Sequence, residues 1–218
     1  MTCTPESSIC TTGLNGMLIS GIFIQLLRQE YSGGNVQDDK LDGCRWVPSA
    51  HDALQEDPAA STILIESVYK WDVRTIGQRP ALLVRRDQQA PQILGISGNR
   101  VLTMGTPSER DMQDWGYEHA TPVQGAHTIF AIAREAGQAE VLAQESSAHL
   151  RQFGPVFERE FGFLRFHLSQ IGAVAQLKES DEHFVVPLKV EYAYYDRWKL
   201  IPVAPRFAGV SIKNEGVQ

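Results

Sequence analysis

The chain contains few cysteines: Cys3, Cys10 and Cys44 are the only three in 218 residues. An odd number without regular spacing does not form a disulfide framework. No Cys-x-x-Cys pair is present, so a zinc site built from thiolates is not expected. Because cytosolic proteins keep their thiols reduced, we predict three free thiols and a chain that folds in the cytosol.

An excess of basic residues is also lacking. The formal net charge is −6, from 20 Lys and Arg against 26 Asp and Glu. A dedicated nucleic-acid-binding protein needs clustered Lys and Arg to contact phosphates. The charge therefore argues against such a protein. It is compatible with a protein that lets DNA pass without binding it.

No apolar run is long enough to cross a membrane. The most apolar stretch, residues 13–27, includes Asn15, Ser20 and Gln25, and no basic segment precedes it. A membrane span needs about 20 apolar residues, and a secretory signal begins with positive charge. We predict that this stretch is a buried helix and that the protein has no membrane partner.

Signatures of catalysis and cofactor binding are missing too. The nearest approach to a serine-hydrolase elbow is residues 95–98 (GISG), which lack the Gly-x-Ser-x-Gly spacing. The sequence has neither a Gly-rich phosphate loop nor a dinucleotide-binding fingerprint. We therefore predict no cofactor and no catalytic residue.

One acidic group leaves a metal-dependent hydrolase as an alternative. Asp111, Asp114, Glu118 and His119 lie on one short span, the first three would share a face if they lay on one helix, and hard cations bind such oxygen clusters. Gly116 interrupts the segment, and prolines flank it, so a long helix is disfavoured. We interpret the group as a solvated acidic loop and predict no bound metal.

The sequence does contain a long alternating segment, residues 183–198 (HFVVPLKVEYAYYDRW). The apolar residues at every second position are Phe184, Val186, Leu188, Val190, Tyr192 and Tyr194. Alternation with a period of two places them on one face of a strand and the intervening charges on the other. We predict a strand in which Val186, Val190 and Tyr192 are buried while Lys189 and Glu191 are exposed.

Other segments show helical or strand periodicity. Residues 13–31 predict a helix whose buried stripe is Leu14, Leu18, Ile22 and Leu26, widened by Met17, Ile19, Phe23 and Ile24. A second helix begins at Gly137 and stops at Gly154-Pro155, with a buried stripe of Ala139, Leu142, Ala143, Ser146, Leu150 and Phe153. Strands are predicted at residues 62–68, 81–86, 92–102, 127–134 and 163–176, the fourth being central because it is apolar on both faces.

These elements predict a single α+β domain over residues 1–218, because strands cluster along the chain with few helices between them. The sheet is expected to be mainly antiparallel, with helices packed on one face. Two long irregular segments, 35–60 and 103–124, interrupt the order of elements. The termini, 1–12 and 203–218, are predicted to be extended or flexible.

Aromatic and apolar residues in the irregular segments, the C-terminal tail and the strand end predict contacts between subunits. Such residues are costly to leave in water, and Tyr and Trp are enriched at interfaces. The predicted interface residues are Trp46, Trp115, Tyr117, Tyr195, Trp198, Phe207, Val210 and Ile212. Four arginines are candidates for charged contacts with phosphates or with acidic surfaces of a neighbouring subunit: Arg74, Arg79, Arg85 and Arg86.

The pattern from Arg79 onward resembles a family of phage proteins. The matching features are the strand HTIFAIAR at 127–134, the helix that begins GQAE at 137–140, the FGF turn at 161–163, the KESDE turn at 178–182, the strand that ends YAYYDRW at 192–198, and RPALLV at 79–84. Together they resemble the tail terminator and tail-completion proteins of the neck of tailed bacteriophages. The irregular segments 35–60 and 103–124 have no counterpart in that pattern.

The resemblance implies a structural role without enzymatic activity. Members of that family are small α+β subunits that close into a ring, commonly a hexamer, in the neck of the virion. The ring caps the tail tube and joins it to the head connector, and DNA passes through its lumen. Assembly then takes place in the cytoplasm of a host bacterium. A negative net charge suits a channel that does not bind DNA.

Three alternatives remain beside this interpretation. One is a different head–tail connector or baseplate component, and a second is the small metal-dependent hydrolase that would use Asp111, Asp114 and His119. The third is a soluble binding module. The mass of the purified assembly separates these classes, because only the structural readings require a closed assembly or a place in the virion.

Overall fold

The computed structural model describes residues 9–11, 14–32, 41, 43–70, 79–92, 100–104, 117–178, 180 and 182–200. The strands in these residues are β1 (Ile9–Thr11), β2 (Leu64–Ser67), β3 (Ala81–Pro91), β4 (Arg100–Met104), β5 (Tyr117–Ala133), β6 (Phe163–Ile171), β7 (Ala175–Gln176) and β8 (Phe184–Leu200). The α-helices are α1 (Gly16–Ser32), α2 (Ala136–Gln152) and α3 (Gly154–Arg159).

Two long antiparallel strands, β5 and β8, form the centre of the sheet. They pair along all 17 residues, from Tyr117 opposite Leu200 to Ala133 opposite Phe184. On the other side of β5, β3 pairs antiparallel and is followed by β2, which is parallel to β3. β6 and β7 pair with the outer edge of β8. At the far end of the two long strands, β4 pairs with residues 117–120 of β5, and β1 pairs with residues 198–200 of β8.

The helices pack on one face of this mainly antiparallel sheet, so the predicted α+β fold is confirmed. An aromatic cluster joins the two layers. Phe23 of α1 contacts Phe157 of α3, with ring centroids 5.6 Å apart, and Phe166 of β6 stacks on Phe157 at 4.2 Å. Aromatic side chains remove large apolar areas from water, so this cluster anchors both α1 and α3 to the sheet.

The alternating segment is the strand β8, as predicted. Val186, Val190 and Tyr192 are buried as predicted, whereas Lys189 and Glu191, which were predicted to be exposed, are half-buried and form an ion pair at 3.1 Å between Nζ and Oε1. Both charged residues lie where β8 is flanked by β5 on one side and by β6 on the other, which explains their lower exposure. The buried stripe of α2 is also as predicted, although Phe153 at its end is half-buried.

The buried face of α1 differs from the prediction. Its buried stripe is Ile19, Phe23, Leu27 and Tyr31, whereas Leu18 is 51 % exposed. Both apolar series recur every four residues, so periodicity alone does not decide between them. The series ending at Tyr31 is buried because its phenol oxygen reaches Ser146 Oγ of α2 at 3.1 Å, which satisfies the hydroxyl inside the core.

Segment 103–124 was expected to be irregular, and this is wrong at both of its ends. Residues 103–104 belong to β4, and β5 begins at Tyr117 and runs through Pro122. Pro122 is tolerated because it lies opposite the end of β3, and its carbonyl accepts a hydrogen bond from the Gln92 amide at 2.7 Å. Residues 105–116 lie outside the described residues.

Other boundaries shift by a few residues. The predicted strand 92–102 is described only as β4, and β3 extends to Pro91 rather than ending at residue 86. Pro155 does not simply stop α2, because it lies in the first turn of α3, where its fixed φ is favourable. Of the three thiols, Cys44 is free and buried, and burial raises its pKa. None of the described helices combines the length and the apolar character needed to cross a bilayer.

Candidate subunit interface

The outward face of α1 carries an apolar groove of about 440 Å³, which we name the outer groove. Met17 is 81 % exposed, Leu18 is 51 % exposed, and Phe161, beside the helix, is 37 % exposed. The residues lining the groove are Met17, Leu18, Gly21, Ile22, Gln25, Leu26, Gln29 and Phe161. None of these is charged, so the groove suits an apolar occupant with small polar groups at its edges.

Gly21 leaves the backbone of α1 accessible in the middle of the outer groove, because it has no side chain. No heavy atom lies within 4 Å of the position that a Cβ at residue 21 would occupy. Glycine inside a helix costs about 1 kcal/mol relative to alanine. In return, a bound segment can lie directly against the backbone of α1.

The floor below α1 is a chain of buried polar groups. Tyr192 Oη lies 3.0 Å from His127 Nδ1, and Ser20 Oγ lies 2.7 Å from His127 Nε2. Ser20 Oγ donates to the Gly16 carbonyl at 2.8 Å, and Gln89 Nε2 donates to Tyr192 Oη at 3.4 Å. These directions are consistent with one tautomer, in which His127 carries its hydrogen on Nε2 and accepts from Tyr192 at Nδ1.

The electrostatics support a neutral imidazole at this position. Burial lowers the pKa of His127 to about 4, with Asp87 opposing and Arg86 adding to the shift. Burial likewise raises the pKa of Tyr192 to about 12. Both groups therefore stay uncharged near neutral pH, and the polar chain orients α1 on the sheet at no cost of a buried charge.

The contact between Ser20 and His127 resembles the pairing of a nucleophile with its base, but its geometry serves another purpose. His127 is fully buried, so a substrate in solution does not reach it. The hydroxyl hydrogen of Ser20 points to the carbonyl of its own helix. The pair therefore fixes the rotation of α1, which sets the direction in which the outer groove faces.

Trp46 does not fit its predicted place at an interface, because it packs inside its own subunit. It is 5 % exposed, and the guanidinium of Arg28 lies 4.9 Å from its ring centroid. Arg28 also donates to the carbonyl of Ile65 at 3.0 and 3.2 Å and to that of Leu54 at 2.5 Å. The apolar ring of Trp46 is thus removed from water inside its own chain, where Arg28 of α1 lies over it and is itself held by the end of β2.

Two of the four predicted arginines are engaged inside the chain. Arg79 forms an ion pair with Glu56 and also donates to the Ser61 carbonyl at 3.2 Å, which holds the loop 43–61 against the start of β3. Burial raises the pKa of Glu56, and the Arg79 guanidinium opposes that shift. Arg85 pairs with Asp87 at 2.8 Å and also lies over an aromatic ring of β5.

The remaining predicted interface residues are placed only in part. Arg86 is exposed on β3, and Tyr195 is half-buried on β8. Tyr117 and Trp198 lie in β5 and β8, where their side chains are outside the described residues. The others, also outside the described residues, are Arg74, Trp115, Phe207, Val210 and Ile212.

The acidic group considered for a metal is not brought together by the described part of the chain. Asp111 and Asp114 lie outside it, and Glu118 and His119 belong to β5 rather than to a helix. Within the described residues, no group of three or more His, Cys, Asp or Glu is positioned to hold a metal ion.

Sequence reasoning missed the outer groove because it assigned Leu18 and Ile22 to the buried stripe. The signal was present: the two apolar series of α1 lie about 100° apart around the helix, and together they form a stripe wider than a single neighbouring layer covers. Comparison with known proteins adds no family to this picture. No protein-family model matches the chain, and no curated protein is significantly similar to it.

Proposed function

We propose that this protein is a structural subunit of the neck of a tailed phage, which assembles into a closed ring at the end of the tail tube. The observation that carries the assembly is the outer groove: Met17, Leu18 and Phe161 are exposed together and line one continuous uncharged surface. Contiguous exposed apolar surface usually marks an interaction site. The place in the neck comes from the resemblance of residues 79–198 to tail terminators.

A closed ring of identical subunits needs two different surfaces on each chain, one that is offered and one that receives. The outer groove is a concave, uncharged surface of the receiving kind. The net charge of −6 supports passage of DNA through the lumen, because a negative wall does not release counterions from DNA and so does not bind it tightly. Partners of the ring would be the tail tube on one side and the head connector on the other.

The test is the mass of the purified chain by size-exclusion chromatography with light scattering, followed by electron microscopy. Six copies of the 24.3-kDa chain give a particle of about 146 kDa with a central hole. Leu18→Ser should lower the assembled fraction by about tenfold, because it removes apolar area from the contact. Leu164→Ser is the matched control, since Leu164 is 48 % exposed on β6 and does not line the groove.

A chain that stays monomeric at high micromolar concentration would contradict the ring. Fractionation of phage particles from the same source then tests the location. Antibody labelling at the head–tail junction supports a terminator, whereas labelling at the distal tip favours the alternative of a baseplate component.

A further inference from the structure

A second cavity lies beside β2, the strand at the end of the sheet beyond β3, and we name it the edge cavity. Its volume is about 590 Å³, which lies within the range of small-molecule sites in proteins. Its lining comes from α1, from the loop 43–61, from β2 and from the residues just before β3. The edge cavity shares no lining residue with the outer groove, so what binds there is independent of the proposed ring.

Charged side chains of both signs line the edge cavity. The cations are Arg28, Lys70 and Arg79, and the carboxylates are Glu56 and Glu66. Arg79 and Glu56 form an ion pair with each other, so together they add no net charge to the lining. The other three groups therefore offer two cations to an anionic group of a ligand and one carboxylate to a cationic group.

Arg28 is buried, but the described residues do not use all of its hydrogen-bond donors. It is 7 % exposed, and three of its five N–H groups donate to the carbonyls of Ile65 and Leu54. One N–H on each Nη atom has no acceptor within the described residues. Burial lowers the pKa of Arg28, and the charges of Glu66 and Glu56 oppose that shift. A carboxylate in the edge cavity would therefore gain charge-assisted hydrogen bonds from a guanidinium that water hardly reaches.

Glu66 and Lys70 form no hydrogen bond or ion pair with any other residue that the structure describes. Glu66 is half-buried on β2, where the strand pairs at this position with Leu83 of β3. Lys70 is exposed at the end of the short 3-10 helix Val68–Lys70 that follows β2. The sheet thus holds the Glu66 carboxylate at the cavity without giving it a partner there.

Apolar side chains complete the lining of the edge cavity. Leu54 and Pro58 come from the loop 43–61, and Leu64 comes from β2. Leu54 is 65 % exposed, which is unfavourable for a large apolar side chain in water. A ligand that carries an apolar side chain of its own would cover it.

We propose that the edge cavity binds an α-amino acid with a large apolar side chain. The carboxylate of the amino acid accepts hydrogen bonds from Arg28 and is attracted by Lys70. Its ammonium group pairs with the Glu66 carboxylate, and its side chain packs against Leu54 and Pro58. The planar guanidinium suits a carboxylate, since its N–H groups can bond to both oxygens.

Calorimetric titration of the full chain with L-leucine and two analogues tests this site. N-Acetyl-L-leucine keeps the carboxylate but has no ammonium group, and L-leucinamide keeps the ammonium group but has no carboxylate. We expect one L-leucine per chain and binding about tenfold weaker for each analogue, because each leaves one charged group of the cavity unpaired. At 100 times its dissociation constant, L-leucine should raise the melting temperature by about 5–10 °C.

A substitution at Glu66 separates the two ends of the ligand. Glu66→Gln should weaken L-leucine binding by about tenfold and leave the affinity for N-acetyl-L-leucine unchanged, because that analogue has no ammonium group to pair. Glu140→Gln is the matched control, since Glu140 is exposed on α2 and does not line the cavity. It should bind all three compounds as the wild type does.

Three results would overturn the amino-acid site. One is the absence of both binding heat and a rise in melting temperature with L-leucine at about 10 mM. Another is an analogue that binds the wild type as tightly as L-leucine, since the cavity would then recognise only one of the two charges. The third is tighter binding of L-glutamate than of L-leucine, which would contradict the packing on Leu54 and Pro58. The ring is decided by light scattering alone, whichever result is obtained.

Discussion

At the scale of single residues, the most informative group is His127. Its side chain is fully buried between Ser20 of α1 and Tyr192 of β8, and each ring nitrogen has a polar partner. Because the imidazole is neutral, it links helix and sheet by hydrogen bonds without a buried charge. A protonated imidazole would lose the hydrogen bond from Tyr192, since both of its nitrogens would then be donors.

This arrangement predicts a pH dependence of stability. The pKa of His127 is about 4 in the folded chain, below its ordinary value of 6.5. The unfolded chain therefore binds the proton first, so the stabilisation is complete above pH 6.5 and decreases as the pH falls towards 4. A shift of this size corresponds to at most about 3 kcal/mol.

The measurement is urea unfolding of the wild type and of His127→Gln between pH 7 and pH 4. The variant should be less stable at pH 7, and the difference in unfolding free energy should narrow as the pH falls. Carboxylates titrate in both proteins, so the variant serves as their control. A difference that stays constant over this range would show that His127 is not the group that titrates.

At the scale of elements, prediction succeeded where one apolar series was present and failed where two were. In β8 and α2, a single series fixes the buried face, so the sequence was sufficient. In α1, two series compete, and Tyr31 and its distant partner Ser146 decide between them. Residues 115 apart in sequence do not reveal that contact through any local pattern.

The start of β5 was missed for a related reason. Pro122 and Gly125 indicate a turn locally, whereas in the sheet both are accommodated by neighbouring strands. A Cβ at residue 125 would lie 2.6 Å from the ring of Tyr192, so this glycine makes room for the aromatic side chain that crosses it. A glycine at this position usually indicates a turn, whereas here it is required by a contact with Tyr192, which is distant in the sequence.

Arg28 links three elements and gives a prediction at this scale. It joins α1 to β2 through the Ile65 carbonyl, and to the loop 43–61 through Leu54 and Trp46. Arg28→Lys should destabilise the chain by about 1–3 kcal/mol, because a lysine lacks the planar fork that serves both carbonyls. The first effect should be local opening of the loop, seen as faster limited proteolysis within residues 43–61.

Arg45→Lys is the matched control for this substitution, since Arg45 lies in the same loop and is exposed. It should leave the cleavage rate unchanged. Equal acceleration in both variants would mean that the loop is not held by the Arg28 contacts.

At the scale of the whole molecule, two kinds of surface compete as the site of assembly. The first is the outer groove, which is apolar and uncharged. The second is the outer part of β3, where Arg86 is exposed and Arg85 pairs with Asp87. The second kind of contact would depend on charge pairs between subunits, which salt screens over about 10 Å at 0.1 M ionic strength.

Salt therefore distinguishes the two surfaces. If the outer groove forms the contact, raising the salt from 0.05 to about 1 M should leave the assembled fraction unchanged or increase it, because apolar association is not screened and kosmotropic salts such as sulfate strengthen it. Arg86→Ala should then assemble as the wild type does at every salt concentration. Light scattering across a salt series measures this directly.

Dissociation of the wild type at high salt, together with loss of assembly in Arg86→Ala at low salt, would show that the interface lies on β3 and not on α1. Exposed ion pairs contribute only about 0–1 kcal/mol each, whereas burying one large apolar side chain contributes about 1.5–3 kcal/mol, so we expect the groove to dominate.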